Sequence, residues 1–209
     1  KNLTLIFFIF SLLSYSQNNF TSARSIEISE NNYEEQLRSS IVKNIELTNI
    51  GPSVMSGRVT DLEVNPNNPT EFYVAYASGG LWHTKNNGTT FSPIMDNSMT
   101  QNIGDFAIDW KSNSIYVGTG ESNSSRSSYP GIGILKSNDN GSTWTNIGLR
   151  DSHHISRVLV NPNNENHIVV AVIGHLYTKN TQRGIFTSFD NGKTWEKSLF
   201  INDHTGAID

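Results

Sequence analysis

Cysteine is absent from this 209-residue chain. That excludes disulfides, a cysteine nucleophile, thiolate metal sites and a cysteine-borne lipid anchor. Charge is sparse: Asp, Glu, Lys and Arg make up 16% of the residues, against about 25% in ordinary soluble domains. The net charge is −4 and no basic stripe runs along the chain, so nucleic acid is not an expected partner. A long apolar run is also missing. The main one, LTLIFFIFSLL at 3–13, is far short of the ~20 residues that a membrane-spanning helix needs. It follows Lys1 and precedes the small residues Ser14 and Ser16. A basic start, a short apolar stretch and small residues are the pattern of a secretory signal, with cleavage expected before Gln17. The expected location is therefore secreted or cell envelope, with no membrane span.

Asn, Ser, Thr and Gly replace the missing charge, a composition that favours turns and short strands over helices. Residues 17–44 are polar and poorly patterned, and are read as a flexible lead-in or a short helix around 33–40. From residue 45 onward, short alternating runs rich in Val, Ile, Tyr and Trp are separated by Asn, Gly and Pro clusters, the mark of an all-β fold.

The chain repeats itself. SNDNGSTW at 137–144 returns as SFDNGKTW at 188–195, and a third copy reads TKNNGTTF at 84–91. Upstream of these boxes lie LEVNPNN (62–68), AIDWKSN (107–113) and VLVNPNN (158–164). Between the two landmarks sit EFYVAYASG (71–79), SIYVGTG (114–120) and HIVVAVIG (167–174). Each unit carries four strand candidates, in the first unit 58–64, 71–77, 80–85 and 90–94. A period of ~50 residues with four strands per unit matches β-propeller blades. Three blades are expected, at about 53–97, 101–150 and 153–201.

The octapeptide reads as a structural device. Its Asn-Gly centre suits a tight turn between the third and fourth strands of a blade. The acid two residues before the Gly can accept hydrogen bonds from the loop's own amides, and the aromatic residue plugs the blade's apolar side. The first copy supports this: Asn86 stands in place of Asp139 and Asp190, and Phe91 in place of Trp144 and Trp195. Asn still locks a turn but cannot take over an acid's proton chemistry. Gly88, Gly141 and Gly192 occupy the turn position throughout.

S-x-D-x-G-x-T-W resembles the Asp-box, or BNR, motif of sialidases, xyloglucanases and the sortilin/Vps10 group. Together with GPSVMSGRV, VNPNNP, GTGESNSSRSS and DSHHI, residues 45–209 are similar to the exported sortilin-like, "glycosyl hydrolase" propellers of Bacteroidetes-type bacteria. That resemblance implies a propeller and leaves its activity open between hydrolase and binder. Rings have about 4–8 blades, and GAID at 206–209 restates FAID at 106–109. The chain is therefore expected to be the N-terminal part of a longer protein, with the remaining blades as partners of those present. ELTNIG at 46–51 echoes the outer strand TWTNIG at 143–148, and a strand at 45–51 is expected to close the ring.

Alignment of the units makes Arg58, Asn102 and His154 equivalent near the entry of the inner strands, with Asp61, Asp105 and Arg157 one level along. These charges are expected to pair with one another more than to hold a ligand. A second cluster lies between second and third strands. The loop 120–131 supplies Glu121, Arg126 and Tyr129, and the loop 174–184 supplies His175, Tyr177 and Arg183. With Arg58, the residues Glu121, Arg126, Tyr129, His175 and Arg183 form the candidate ligand set, for a glycan, a peptide or a protein. Glycoside hydrolysis needs two carboxylates ~5–9.5 Å apart. The resemblance to xyloglucanases implies an acid just before Gly79-Gly80, where this chain has Ala77 and Ser78. Glu121 is the remaining catalytic candidate, on position alone. No cofactor is expected. His153 and His154 with His175 and Glu121 suggest a metal cluster, but neighbouring histidines on a strand point to opposite faces and cannot chelate together without a bulge, so no metal site is expected. The expected function is a sortilin-like binding propeller at the cell envelope, with a sialidase- or xyloglucanase-like hydrolase as the alternative.

Overall fold

A computed structural model describes residues 20–45, 57–123 and 128–209. The leader at 1–16, residues 46–51 of the expected closing strand, and Arg126 lie outside them.

The first element of the described residues is a helix, α1 (Ala23–Ser39). The Ser22 hydroxyl caps it by accepting the Ser25 amide at 3.2 Å, satisfying one of the orphan N–H groups of the first turn. The helix is longer than the segment 33–40 that the sequence suggested, and tertiary contacts account for the difference. Ile26 packs on the first apolar cluster of the sheets, and Glu30 pairs with Arg150 at 2.6 Å.

Twelve strands follow among the described residues: β1 (Val59–Val64), β2 (Phe72–Tyr76), β3 (Gly80–Thr84), β4 (Ser92–Pro93), β5 (Ile103–Asp109), β6 (Ser114–Thr119), β7 (Ile134–Ser137), β8 (Thr145–Asn146), β9 (Ile155–Asn161), β10 (Asn164–Val172), β11 (Gly184–Ser188) and β12 (Glu196–Leu199). They pair as three antiparallel four-stranded sheets, β1–β4, β5–β8 and β9–β12, each in simple sequential order. These are three propeller blades in an open arc. The first strands β1, β5 and β9 face one another across the blade interfaces.

The repetition extends to hydrogen bonds. Ala77, Gly120 and Ile173 donate their amides to the carbonyls of Arg58, Asn102 and His154 at 2.9–3.0 Å. Each first strand carries an irregularity in its pairing at the same place, around Thr60, Gly104 and Ser156. At the second of these only glycine fits: a Cβ on Gly104 would lie 1.7 Å from the Ile155 carbonyl oxygen.

Apolar side chains fill the spaces between blades. One cluster joins blades one and two around Leu81, Phe106 and Val117. Another joins blades two and three around Tyr116, Ile155 and Val170. Burial of this kind is the main favourable term holding a blade array together.

The boxes show how each turn is locked. In the second blade the Asp139 carboxylate accepts the Ser137 hydroxyl at 2.8 Å, the Thr143 amide at 2.9 Å and the Thr143 hydroxyl at 2.6 Å. Ser137 Oγ in turn accepts the Gly141 amide at 2.8 Å. Ser188, Asp190, Gly192 and Thr194 repeat the pattern in the third blade. In the first blade Asn86 Oδ1 accepts Thr90 N–H at 2.9 Å, but its Nδ2 donates to the Thr90 hydroxyl, reversing one bond. The turn asparagines Asn87, Asn140 and Asn191 and the glycines after them all have positive φ.

The aromatic residue of the box does something the sequence did not indicate. Trp144 and Trp195 are half-buried, not sealed in the core. Their indole N–H groups reach the preceding blade, donating to the Ile94 carbonyl at 3.0 Å and the Ile147 carbonyl at 2.8 Å. Phe91 lacks that donor and packs edge-on against Phe72, with ring centroids 5.9 Å apart.

Candidate functional site

The two long loops between second and third strands lie next to each other at one end of blades two and three. The ridge Leu176–Tyr177–Thr178 separates two clefts, of about 640 Å³ and about 270 Å³. The larger is bordered by Lys179, His204 and Ile208, the smaller by Phe20, Pro130 and His153. Tyr177 is 77% exposed and Tyr129 is 54% exposed, so both rings are offered to solvent where the loops meet.

The charged candidates have different fates. Arg58 and Glu121, chosen separately from the sequence, form an ion pair between blades one and two. Glu121 is only 1% exposed, and its backbone carbonyl accepts the His154 Nδ1 proton at 2.8 Å. A carboxylate paired with a guanidinium and shut from solvent is poorly suited to serve as a general acid in an open cleft. Arg183 is also buried. It donates to the carbonyls of Ile173 and Thr178, at 2.7 and 2.8 Å, and to that of His175. Its planar fork knits the 174–184 loop to itself, and the residue lines the larger cleft.

His175 is 2% exposed. Its Nδ1 lies 2.7 Å from the Thr178 hydroxyl and its Nε2 lies 3.4 Å from Asp151 Oδ1. Its ring stacks on His153, with centroids 3.6 Å apart and planes 20° apart. The sequence brings His153, His154 and His175 together as a possible cluster, but strand alternation argues against shared geometry. His153 instead has φ +55 and stands before β9, which turns its ring toward the 174–184 loop. Burial, and then the charges of His153, His175 and Arg183, push His154 down to about 4. Burial is also the largest cause holding His153 below its ordinary value, followed by neighbouring His175.

On the inner strands, Asp105 accepts the Val158 amide at 2.7 Å and faces Arg157 at 3.7 Å. Arg157 also pairs with Asp209 at 2.8 Å. Burial, reinforced by the charge of nearby Asp61, pushes the Asp105 carboxyl up to about 7. This cluster satisfies itself across the blade interface.

No family model matches the chain, and no curated protein matches it. Solved structures do. An ancestral GH74 enzyme aligns at TM-score 0.60 and 20% identity, over 78% of this chain and 21% of that one. A GH74 enzyme of Niastella koreensis aligns at TM-score 0.36 and 21% identity, over 66% and 29%. YCF48 from Cyanidioschyzon merolae aligns at TM-score 0.42 and 16% identity, over 69% and 38%. The chain thus spans about a fifth of the first of these proteins. The likeness to the ancestral GH74 enzyme establishes the β-propeller fold. Among the described residues, no helix is long and apolar enough to cross a membrane.

Proposed function

We propose that the protein is an exported, sortilin-like Asp-box propeller that binds an extended ligand at the cell envelope, through the loop face of blades two and three. The observation that carries this reading is the pair of open clefts flanking Tyr177, with Tyr129 nearby and Glu121 withdrawn into an ion pair. The cleft face offers aromatic surface and no carboxylate pair among its described lining residues. Exposed tyrosine rings suit the flat apolar faces of sugars, so a glycan is preferred over a peptide or protein segment. The signal-like run at 3–13 supports export. Exposed Leu62 and Val64 on the first blade, and Leu199 and Ile201 at the outer edge of the third, suit contact with the further blades of a closed ring.

The second reading is a glycoside hydrolase, favoured by the structural likeness to an ancestral GH74 enzyme. The two separate in one experiment. The longest expressible form of the protein is titrated calorimetrically with β-glucan and xyloglucan oligosaccharides while reducing-sugar release is followed. Binding that falls at least tenfold in Tyr177→Ala, about the loss of one stacking contact, without sugar release, supports the binder. Sugar release abolished by replacing an acid supports the hydrolase. Saturable binding of acidic or aromatic peptides without glycan binding would overturn the glycan preference.

A further inference from the structure

We propose that Asp151, His153 and His175 form a site for a divalent transition-metal ion of the zinc type, beside the smaller loop cleft. One donor atom from each residue lies within 4.8 Å of the others. Zinc bound at about 2.0–2.1 Å by nitrogen and oxygen holds tetrahedral donors roughly 3.4 Å apart. The donors must therefore close by up to about 1.4 Å, within reach of side-chain rotation about the broad terminal torsions of His and Asp. Two imidazoles and one carboxylate, with a side facing the cleft that His153 and His175 line, is a donor set that leaves room for a further ligand.

Two independent features point to a cation. The first is the buried nitrogen of His175. Its Nδ1 is engaged by the Thr178 hydroxyl, and its Nε2 has no hydrogen-bond partner among the described residues. That nitrogen faces the Asp151 carboxylate at 3.4 Å, outside hydrogen-bonding geometry. The buried nitrogen and the carboxylate are thus aimed at one place without a direct hydrogen bond, a place that a cation can fill. The His153 ring, stacked directly on the same imidazole, brings a second ring nitrogen to that place. A metal ion takes lone pairs from both rings and the negative charge from Asp151.

The second feature is the support around the three residues. The Nε2–H of His153 donates to the Thr21 carbonyl at 3.1 Å, which leaves its other nitrogen with the lone pair. The Asn180 amide holds both ligand-bearing segments: its Nδ2 donates to the Asp151 carbonyl at 2.7 Å, and its Oδ1 accepts the His175 amide at 3.1 Å. Gln182 Oε1 accepts the Asp151 amide at 2.9 Å. Carbonyl-anchored histidine and a fixed backbone around the donors are what orients metal ligands.

The test uses tag-free protein, so that no added histidines compete. Zinc is titrated calorimetrically, and cobalt is added to the unaltered chain and read by visible absorption. Expected are one saturable zinc per chain and an intense four- or five-coordinate cobalt spectrum that zinc displaces. His175→Ala and Asp151→Asn should abolish saturation, Thr178→Val should weaken it by about ten- to a hundredfold by freeing the His175 ring, and His167→Ala should leave it unchanged. No saturable zinc in the unaltered chain, a pale six-coordinate cobalt spectrum, or zinc affinity untouched by folded His175→Ala would each overturn the assignment. If His175→Ala does not fold, the cobalt spectrum and Thr178→Val decide. None of these readouts depends on glycan binding.

Discussion

Replacing Asp105 with asparagine should stabilise the arc at alkaline pH and have little effect in acid. Asp105 is 3% exposed, and its carboxyl is raised from 3.8 to about 7, first by burial and then by the charge of Asp61. The native state therefore holds a proton that the unfolded chain gives up at lower pH. Below the ordinary aspartate range both states are protonated and the residue is neutral in its effect. Between that range and about pH 7 the unfolded state ionises first, so stability falls as pH rises; above it the full penalty is present. At about 1.36 kcal/mol per pKa unit, the interval sets a ceiling of roughly 4 kcal/mol. Arg157, 3.7 Å away, compensates part of this and would lose a partner in the variant, so about 2–4 kcal/mol is expected. Asparagine keeps an oxygen for the Val158 amide, now accepted at 2.7 Å. Urea unfolding of parent and variant at about pH 4.5 and about pH 8 isolates the effect, because other groups cancel in the difference. A variant that loses stability equally at both pH values, or loses more as pH rises, would refute the argument.

Three further outcomes are expected. Asp190→Ala should lower the melting temperature while Asp190→Asn is milder, because Asn86 already performs that role. Thr194 hydrogen bonds hold the Asp190 carboxyl down to about 2, so the gap between parent and Asp190→Ala should be full above the ordinary aspartate range and close as pH falls toward that value. Trp195→Phe should cost about 0.5–1.5 kcal/mol in denaturant unfolding, because the Ile147 carbonyl loses its indole donor. Gly104→Ala should prevent cooperative folding, read by near-ultraviolet circular dichroism, since its Cβ would overlap the Ile155 backbone.

The blade count and strand order were legible because the turn chemistry recurs at a fixed period. Asn-Gly needs positive φ in any context, so the boxes announced their hairpins. Other features depended on partners distant in sequence. Helix α1 begins ten residues earlier than its own pattern suggested, with Ile26 and Glu30 anchored on the blades. Arg58 and Glu121 were each identifiable as unusual, but their mutual pairing across 63 positions had no local signature. The stacked histidines were obscured by an assumption about local geometry: alternation holds along a strand, and the left-handed backbone at His153 breaks it one residue too early. Asn180, which ties the two ligand-bearing segments together, looked like any loop asparagine.

The indole hydrogen bonds give the arc a direction. Each tryptophan belongs to a later blade and fastens to a carbonyl of the earlier one; in neither case does the bond run the other way. A later blade thus consults a finished predecessor, whereas the first blade, with Phe91 in that place, asks for no such donor contact. A chain emerging N-terminus first, from a ribosome or through a membrane pore, meets these requirements in the order in which they arise. Growth by addition to a completed neighbour would let each blade settle before the next arrives, and would limit the time that any blade edge stays exposed to a wrong strand.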